Sequence, residues 1–461
     1  MATALRAWLS SDAAQPVLDL LAVWATTPGP RRNIDMLWGD GPPRWNGALA
    51  SLSIAVCTRD RPESLHATLG RLQGAVGPGV DVLVVDNAPS SEATRALVAR
   101  RYSHLRYVRE NAPGLDRARN RAIEESTADV VAFCDDDALV SPGWAMALRS
   151  LFARNPDVSL ATGLVLPASL DSEPARLFER YGGFGRGYAP RWLHAPAALE
   201  GSIAFRYANT GAWGTGTNLA IRRRIVRALG GFDPALDVGT PTNGGGDLEM
   251  MFRVLKAGGL MAYTPNAVVY HRHRETWREL VHQVDGWGTG MAAHLARLRR
   301  AFPEERGAVA ALRTWLAVAW FARRYASSWV RPTFPRELIL AEWRASFRGA
   351  GLYREASRDL PPPGRPRPLH GVARVEQAVQ GSVALEDTSG PLSFAEARTA
   401  DVTVTSLGRT LGKVPLPVIG GVVGEDRWRH AVAGAFRREL LGATDAELRR
   451  KVVALFDGSR P

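Results

Sequence analysis

The sequence is poor in three things. Only two of its 461 residues are cysteine, Cys57 and Cys134. Two thiols cannot build a disulfide framework, so the expected home is a reducing cytoplasm. No apolar run approaches the ~18–20 residues that a spanning helix needs. The first two dozen residues lack the basic start, long apolar core and cleavage site of a signal peptide. Lysine is the third scarcity: three of the 58 basic residues are Lys256, Lys413 and Lys451, leaving 55 arginines. With abundant Ala, Gly and Pro, this fits a GC-rich coding bias, so part of the formal +12 is compositional. Such a field would attract nucleic acid, an acidic lipid surface or a phosphorylated substrate, and the bulk charge does not choose. Hydrophobic residues at 46% and charged residues at 23% exclude wholesale disorder and collagen-like classes. The length suggests about three domains.

The texture of the chain changes at Ser51. Short apolar runs at Leu52–Cys57, Val80–Val85, Leu105–Arg109 and Val130–Cys134 alternate with helical patterns at Pro62–Leu72, Ser91–Arg101 and Gly114–Glu125. That alternation predicts βαβ units and a buried, mostly parallel sheet, an α/β fold. Before it, residues 1–50 form an extension with one helical stretch near Pro16–Thr26. In such sheets ligands bind beyond the carboxyl ends of the strands. Those ends carry Thr58-Arg59-Asp60-Arg61, Asp86-Asn87 and Asp135-Asp136-Asp137.

Three consecutive aspartates repel one another and raise each other's pKa. A divalent cation relieves that cost, and hard oxygen ligands suit Mg2+ or Mn2+. An isolated DDD fits a solvated acidic turn equally well, since Ser141-Pro142 opens a helix just beyond. The preceding strand and the polar clusters on neighbouring strand ends favour the cation. Farther on, Asp247 follows three glycines and precedes LEMMFRVL, a pattern that fits a helix N-cap. Tyr263–Tyr270 reads as a late strand ending in His271-Arg272-His273-Arg274. On an extended segment both imidazoles point the same way. Either could ligate a Mn2+-like ion, or Arg272 and Arg274 could form a phosphate-binding rim.

The ordered runs SIAVCTRDRPESL, VVDN, NAPGLDRARNRAIEES and FCDDD resemble the donor-binding half of a family 2 glycosyltransferase of the GT-A fold. GTGTNLAIRR, ALGGFDPAL and GGGDLEMMFRVLKAGG extend the resemblance, which covers about residues 51–275. It implies a Rossmann-like catalytic domain and a role in cell-envelope polysaccharide synthesis. The residues lining the nucleotide would be Thr58, Arg59, Arg61, Asp86 and Asn87, with Arg117 facing the donor. Arg119 and Asn120 could instead support their helix. Asp135 would lie toward the ribose and Asp137 on the metal, Asp136 sharing either role. His271 leads His273 as a further metal ligand. The resemblance also implies an inverting transfer whose base is the aspartate of a Glu-Asp pair, here Asp247, with Glu249 second. Gly246 stands where that glutamate is common.

The remainder divides into helices over 276–360, a Pro-rich linker over 361–399 (LPPPGRPRP at its start) and a small α+β module over 400–461. Thr276–Phe302 reads as helical but broken at GWGTG (Gly286–Gly290). Ala308–Val330 combines aromatics with arginines, as an interfacial helix does, and as a helix packed on a catalytic domain also does. In the module, strands are expected at Ala400–Ser406 and Thr410–Leu416, and helices at Asp426–Leu441 and Asp445–Phe456. The second helix opens with the Thr444/Glu447 capping-box pattern. Residues 276–365 hold 15 arginines and 8 acids, a net +7. The charge therefore points to an acidic lipid surface or a phosphorylated lipid carrier rather than nucleic acid.

The expected activity is transfer of a sugar from a nucleoside-diphosphate sugar to an acceptor hydroxyl (glycan, lipid-linked or small molecule), with Mn2+ or Mg2+. The enzyme would act in the cytoplasm, with peripheral contact at the inner face of the membrane. Two alternatives stand beside it. A sugar nucleotidyltransferase would carry a Gly-rich loop after its first strand, which CTRDRPESL lacks. A basic binding protein on the same scaffold would gain nothing from DDD.

Overall fold

The computed structural model describes residues 48–436 apart from 196–201, 331–334, 362–367, 370–377, 386–387, 389, 395–397 and 407. The expected Pro16–Thr26 helix, most of LPPPGRPRP, the Thr444/Glu447 cap and the Asp445–Phe456 helix lie outside these residues.

The chain runs β1 (Leu52–Thr58), α1 (Pro62–Ala75), β2 (Val80–Asn87), α2 (Ala93–Arg101), β3 (Arg106–Glu110), α3 (Leu115–Glu125), β4 (Val130–Asp135) and β5 (Ala138–Val140). There follow α4 (Trp144–Arg154), β6 (Val158–Pro167), α5 (Glu173–Tyr181), β7 (Arg191–His194), β8 (Asn218–Arg222), α6 (Gly246–Lys256) and β9 (Leu260–His271). Strands β3-β2-β1-β4 are parallel, then β8 joins β4 antiparallel and the order continues β6-β9-β5, with β7 on β9. The expected βαβ region is borne out to within three residues at each boundary.

Burial on both faces explains the uninterrupted apolar runs. Successive side chains alternate faces, and the core divides accordingly. Ile54, Val56, Val84 and Ala132 pack toward α1 and α4. Ala55, Leu83, Val85 and Phe133 pack with residues of α3 and α6. The register then sets the site: Thr58 pairs with Asp86, and Cys57 with Asp135. Three polar clusters thus end side by side along one sheet edge.

Beyond the sheet, α7 (Trp277–Ala301) opens with a capping box, Thr276 with Glu279. It is continuous, correcting the break expected at GWGTG. Those glycines instead allow close approach. A Cβ on Gly288 would stand 2.2 Å from the Glu342 carbonyl oxygen, and one on Gly290 would stand 2.8 Å from the Gly244 Cα. Three helical stretches then run without interruption: α8 (Arg306–Thr314), a π-helical segment Trp315–Ala322 and α9 (Arg323–Val330). α10 (Arg336–Ala356) packs along α7.

The C-terminal module has its own core, including Val402, Leu416 and Trp428. Its sheet contains β10 (Val379–Ala384), parallel to β12 (Thr399–Ser406), which pairs antiparallel with β13 (Arg409–Pro417). A two-residue strand, β11 (Leu392–Ser393), pairs with β14 (Val422–Val423). The module therefore begins before residue 400, inside the stretch read as linker. Helix α11 (Glu425–Ala435) follows, and Arg427 Nη2 donates to Asp157, between α4 and β6, at 2.6 Å.

Candidate active site

The strand ends face a cavity of about 1750 Å3, larger than the ~300–1,000 Å3 usual for small-ligand pockets. Thr58, Arg59, Arg61, Asn87 and Asp135–Asp137 line one side, Gly214–Thr217 and Asp247 another, and α7–α9 the outer wall. Residues 276–330 thus belong to the walls of the same cavity as 51–275.

The three aspartates have different partners. Asp136 turns toward β1, where its carboxylate accepts from Thr58 Oγ1 at 2.7 Å and Arg61 Nη1 at 2.9 Å. Its carbonyl accepts from Ser64 and Thr68 on α1. Asp136 is thus tied into the scaffold. Asp135 and Asp137 turn the other way and meet His271 at the end of β9, their ligand atoms all within 4.8 Å of one another. The pairing of Ala138 with His271 brings the two strand ends together.

Burial and Asp137 push the Asp135 carboxyl up to about 7. Burial acts on Asp137 as well, yet its pKa lies below the usual range because His271, Arg274 and Arg61 outweigh that cost. The His271 imidazole is itself pushed down to about 4, chiefly by burial. It is therefore neutral near pH 7, where the two guanidiniums carry the compensation. Two carboxylates and a neutral imidazole form a donor set for a divalent cation.

Asp247 lies in the first turn of α6 and accepts from Gly216 N–H and Leu248 N–H, both at 2.8 Å. Burial and the neighbouring Asp237 raise its pKa. The N-cap position is Gly245, in the left-handed conformation, so Asp247 is not the cap. Arg119 lines the cavity and donates through Nη1 to Asp116 at 2.8 Å and Asp237 at 2.6 Å. Gly216 makes room for it, since a Cβ there would meet Arg119 Nη2 at 2.6 Å.

Residues 50–290, just over half of the chain, match the family described as "Glycosyltransferase like family 2". The chain belongs to that family. Among curated proteins it is similar to the pre-mycofactocin glycosyltransferase of Mycobacterium tuberculosis, 25% identical over 53% of this chain and 47% of that one. It is also 30% identical to the succinoglycan biosynthesis protein ExoM of Rhizobium meliloti, over 48% of this chain and 66% of the relative. The first match thus spans about half the relative's length. A mannosyltransferase from Pyrobaculum calidifontis, solved with GDP-Man and Mn2+, aligns over 74% of this chain and 93% of its own. Its identity is 18% and its TM-score 0.41.

Within this family 2 domain, several residues sit elsewhere than expected. Arg117 does not line the cavity, whereas Arg119, the arginine read as a helix support, does. Two residues along α3 turn a side chain by about 200°, so only one of the pair can face the site. Asn120 is the true support, holding Phe232 through its N–H and carbonyl. Glu249 is fully buried against Arg253 (2.6 Å) and Arg297 (3.3 Å) and does not line the cavity. Asp86 is buried beneath the edge, accepting from Tyr107 Oη at 2.8 Å. Asn87 clasps the loop before α3 through Ala112 O and Gly114 N. Cys57 and Cys134 are free thiols, and burial pushes Cys57 up to about 12. Sequence reasoning missed Asp237 and Asp116, which become visible only through their shared partner Arg119.

Proposed function

We propose that this family 2 protein is a metal-dependent, inverting transferase that moves a sugar from a nucleoside-diphosphate sugar to an acceptor hydroxyl. The observation that carries the reading is the convergence of Asp135, Asp137 and His271 in a cavity that Asp247 also lines. These three side chains would hold the cation, and the imidazole favours Mn2+ over Mg2+. A bound cation supplies charge neutralisation for a diphosphate leaving group.

The remaining work falls to the chain's own side chains. Arg59 and Asn87 at the strand ends would bind the nucleotide, with Thr58 and Arg61 fixed by Asp136. Asp247 would accept the acceptor hydroxyl's proton while the acceptor oxygen bonds to the sugar C1. The bond from C1 to the diphosphate oxygen breaks in the same step, and the nucleoside diphosphate departs with the electron pair. A raised pKa makes Asp247 a stronger base. Arg119 would orient Asp247 and offset its charge.

The acceptor we propose is lipid-linked, presented at an anionic membrane surface. Residues 306–336 contain six arginines and no acid. Trp329 is 61% exposed and Val318 66% exposed, while Phe321 packs inward on Trp343. Trp315, Val318 and Trp320 also line the cavity, so the apolar face is continuous with it. Exposed tryptophan with arginine suits a headgroup boundary. Among the described residues, no helix is long and apolar enough to cross a membrane.

Product analysis tests the activity itself. With the correct donor the protein should release a nucleoside diphosphate and a product of inverted anomeric configuration. Release of pyrophosphate would instead identify a nucleotidyltransferase. Asp137→Asn separates the enzyme from a basic binding protein: the enzyme loses turnover, whereas polyanion binding would be unharmed or improved.

A further inference from the structure

We propose that Glu179 and His273 are positioning residues that hold His271 in the tautomer able to bind a metal ion. The inference rests on the reading of His271 as a ligand. Glu179 lies on α5, and His271 and His273 lie at and just beyond the end of β9. Glu179 Oε1 is 2.7 Å from His273 Nε2, and His273 Nδ1 is 3.1 Å from His271 Nδ1. The far nitrogen, His271 Nε2, is 3.4 Å from Asp137 Oδ1. Both imidazoles are buried.

With both rings neutral and one N–H on each, the contacts along this chain leave one arrangement of protons. An ionised carboxylate only accepts, so His273 Nε2 must carry a proton. A neutral imidazole has one N–H, and His273 Nδ1 is therefore an acceptor. The contact between the two Nδ1 atoms needs a donor, which His271 Nδ1 must supply. His271 Nε2 then carries a bare lone pair, aimed at the Asp135 and Asp137 carboxylates. A bare nitrogen beside two carboxylate oxygens is a donor set that a divalent cation completes. Metal-bound histidines commonly donate their other N–H to a carboxylate; here a second imidazole would relay that contact.

The surroundings fix the relay mechanically. Phe178 lies 4.4 Å from the His273 ring and Phe184 sits edge-on to His271 at 5.1 Å. Gly183, at φ 44°, leaves space for the carboxylate, since a Cβ there would stand 2.6 Å from Glu179 Oε2. Asp136, Arg61 and Arg274 have their own contacts on the opposite side of Asp137.

Two measurements test this. Nitrogen NMR of the metal-free wild-type protein, labelled at histidine, should show His271 protonated at Nδ1 and bare at Nε2. Isothermal titration with Mn2+ alone should then show affinity falling by about 10–100-fold in Glu179→Ala and His273→Phe. Glu179→Gln, whose amide oxygen still accepts, should stay near wild type. The double variant should bind no more weakly than His273→Phe, because both changes break one chain. A proton on His271 Nε2 in the metal-free protein would overturn the proposal. So would unchanged Mn2+ affinity in the variants while the wild type binds. A wild type that binds no Mn2+ would count against the metal reading itself, and the tautomer would still decide the relay.

Discussion

A Cβ on Gly246 would stand 1.9 Å from Asp116 Oδ2, so the residue before Asp247 has to be glycine. The family resemblance leads one to expect a glutamate at that position. Here a carboxylate reaches the same space from α3, where Asp116 is fully buried and also holds Arg119 at 2.8 Å.

Gly246→Ala should therefore damage both stability and turnover. Forcing a methyl into this packed space costs roughly 1–3 kcal/mol, and displacing Asp116 would move Arg119. Urea unfolding and a steady-state assay would read the two losses. A variant as stable and active as the wild type would show that Asp116 gives way freely.

Asp247→Asn should lower kcat by about 100- to 10,000-fold, the usual contribution of a general base. Nucleotide affinity should stay unchanged. Because burial and Asp237 raise the Asp247 pKa, the acid limb of kcat/KM should lie above the ordinary carboxylate range. Activity falls as pH drops through that value, since the protonated acid accepts nothing. Glu249→Gln should instead lower Tm, for it disrupts the buried contacts with Arg253 and Arg297. Equal loss of turnover in Glu249→Gln with unchanged Tm would move the base to Glu249.

Metal binding should be pH-dependent. Asp135, pushed up to about 7 by burial and by Asp137, must lose its proton before it can ligate. Below that pH the proton competes, and Mn2+ affinity should fall by up to about tenfold per pH unit. Above it the dependence flattens. Titrations at a series of pH values would show the bend, and an affinity independent of pH would remove Asp135 from the ligand set.

Vesicle flotation addresses the aromatic helical segment. The protein should float with vesicles containing phosphatidylglycerol and not with neutral ones. Raised salt should weaken the association, because each arginine near an anionic surface contributes about 1 kcal/mol that is screened. Trp329→Ser, at a 61% exposed position, should reduce binding without altering turnover on a soluble acceptor. Equal flotation on neutral vesicles would point away from a charge-led contact.

The sheet was legible because both its faces are buried, which turned β1, β2 and β4 into unbroken apolar runs with polar residues straight after. His271 was legible for a local reason, as the end of a strand bearing an HxH pair. Arg119 was not. Its choice over Arg117 depends on which side of α3 faces the cavity, and on Asp237, 118 residues away in the chain. GWGTG misled for a related reason: glycine in a helix reads as a break until Glu342 and Gly244 are seen to need the space. Glu249 likewise looked available until Arg253 and Arg297 enclosed it.

Nucleotide binding tests the metal-dependent transfer from a nucleoside-diphosphate sugar at its first step. UDP, GDP and other nucleoside diphosphates would be titrated into wild type and Asp137→Asn, each with and without Mn2+. At least one nucleotide should bind the wild type, and Mn2+ should strengthen this binding. Asp137→Asn should lose the Mn2+-dependent part. Failure of the wild type to bind any nucleoside diphosphate, with or without Mn2+, would contradict that transfer.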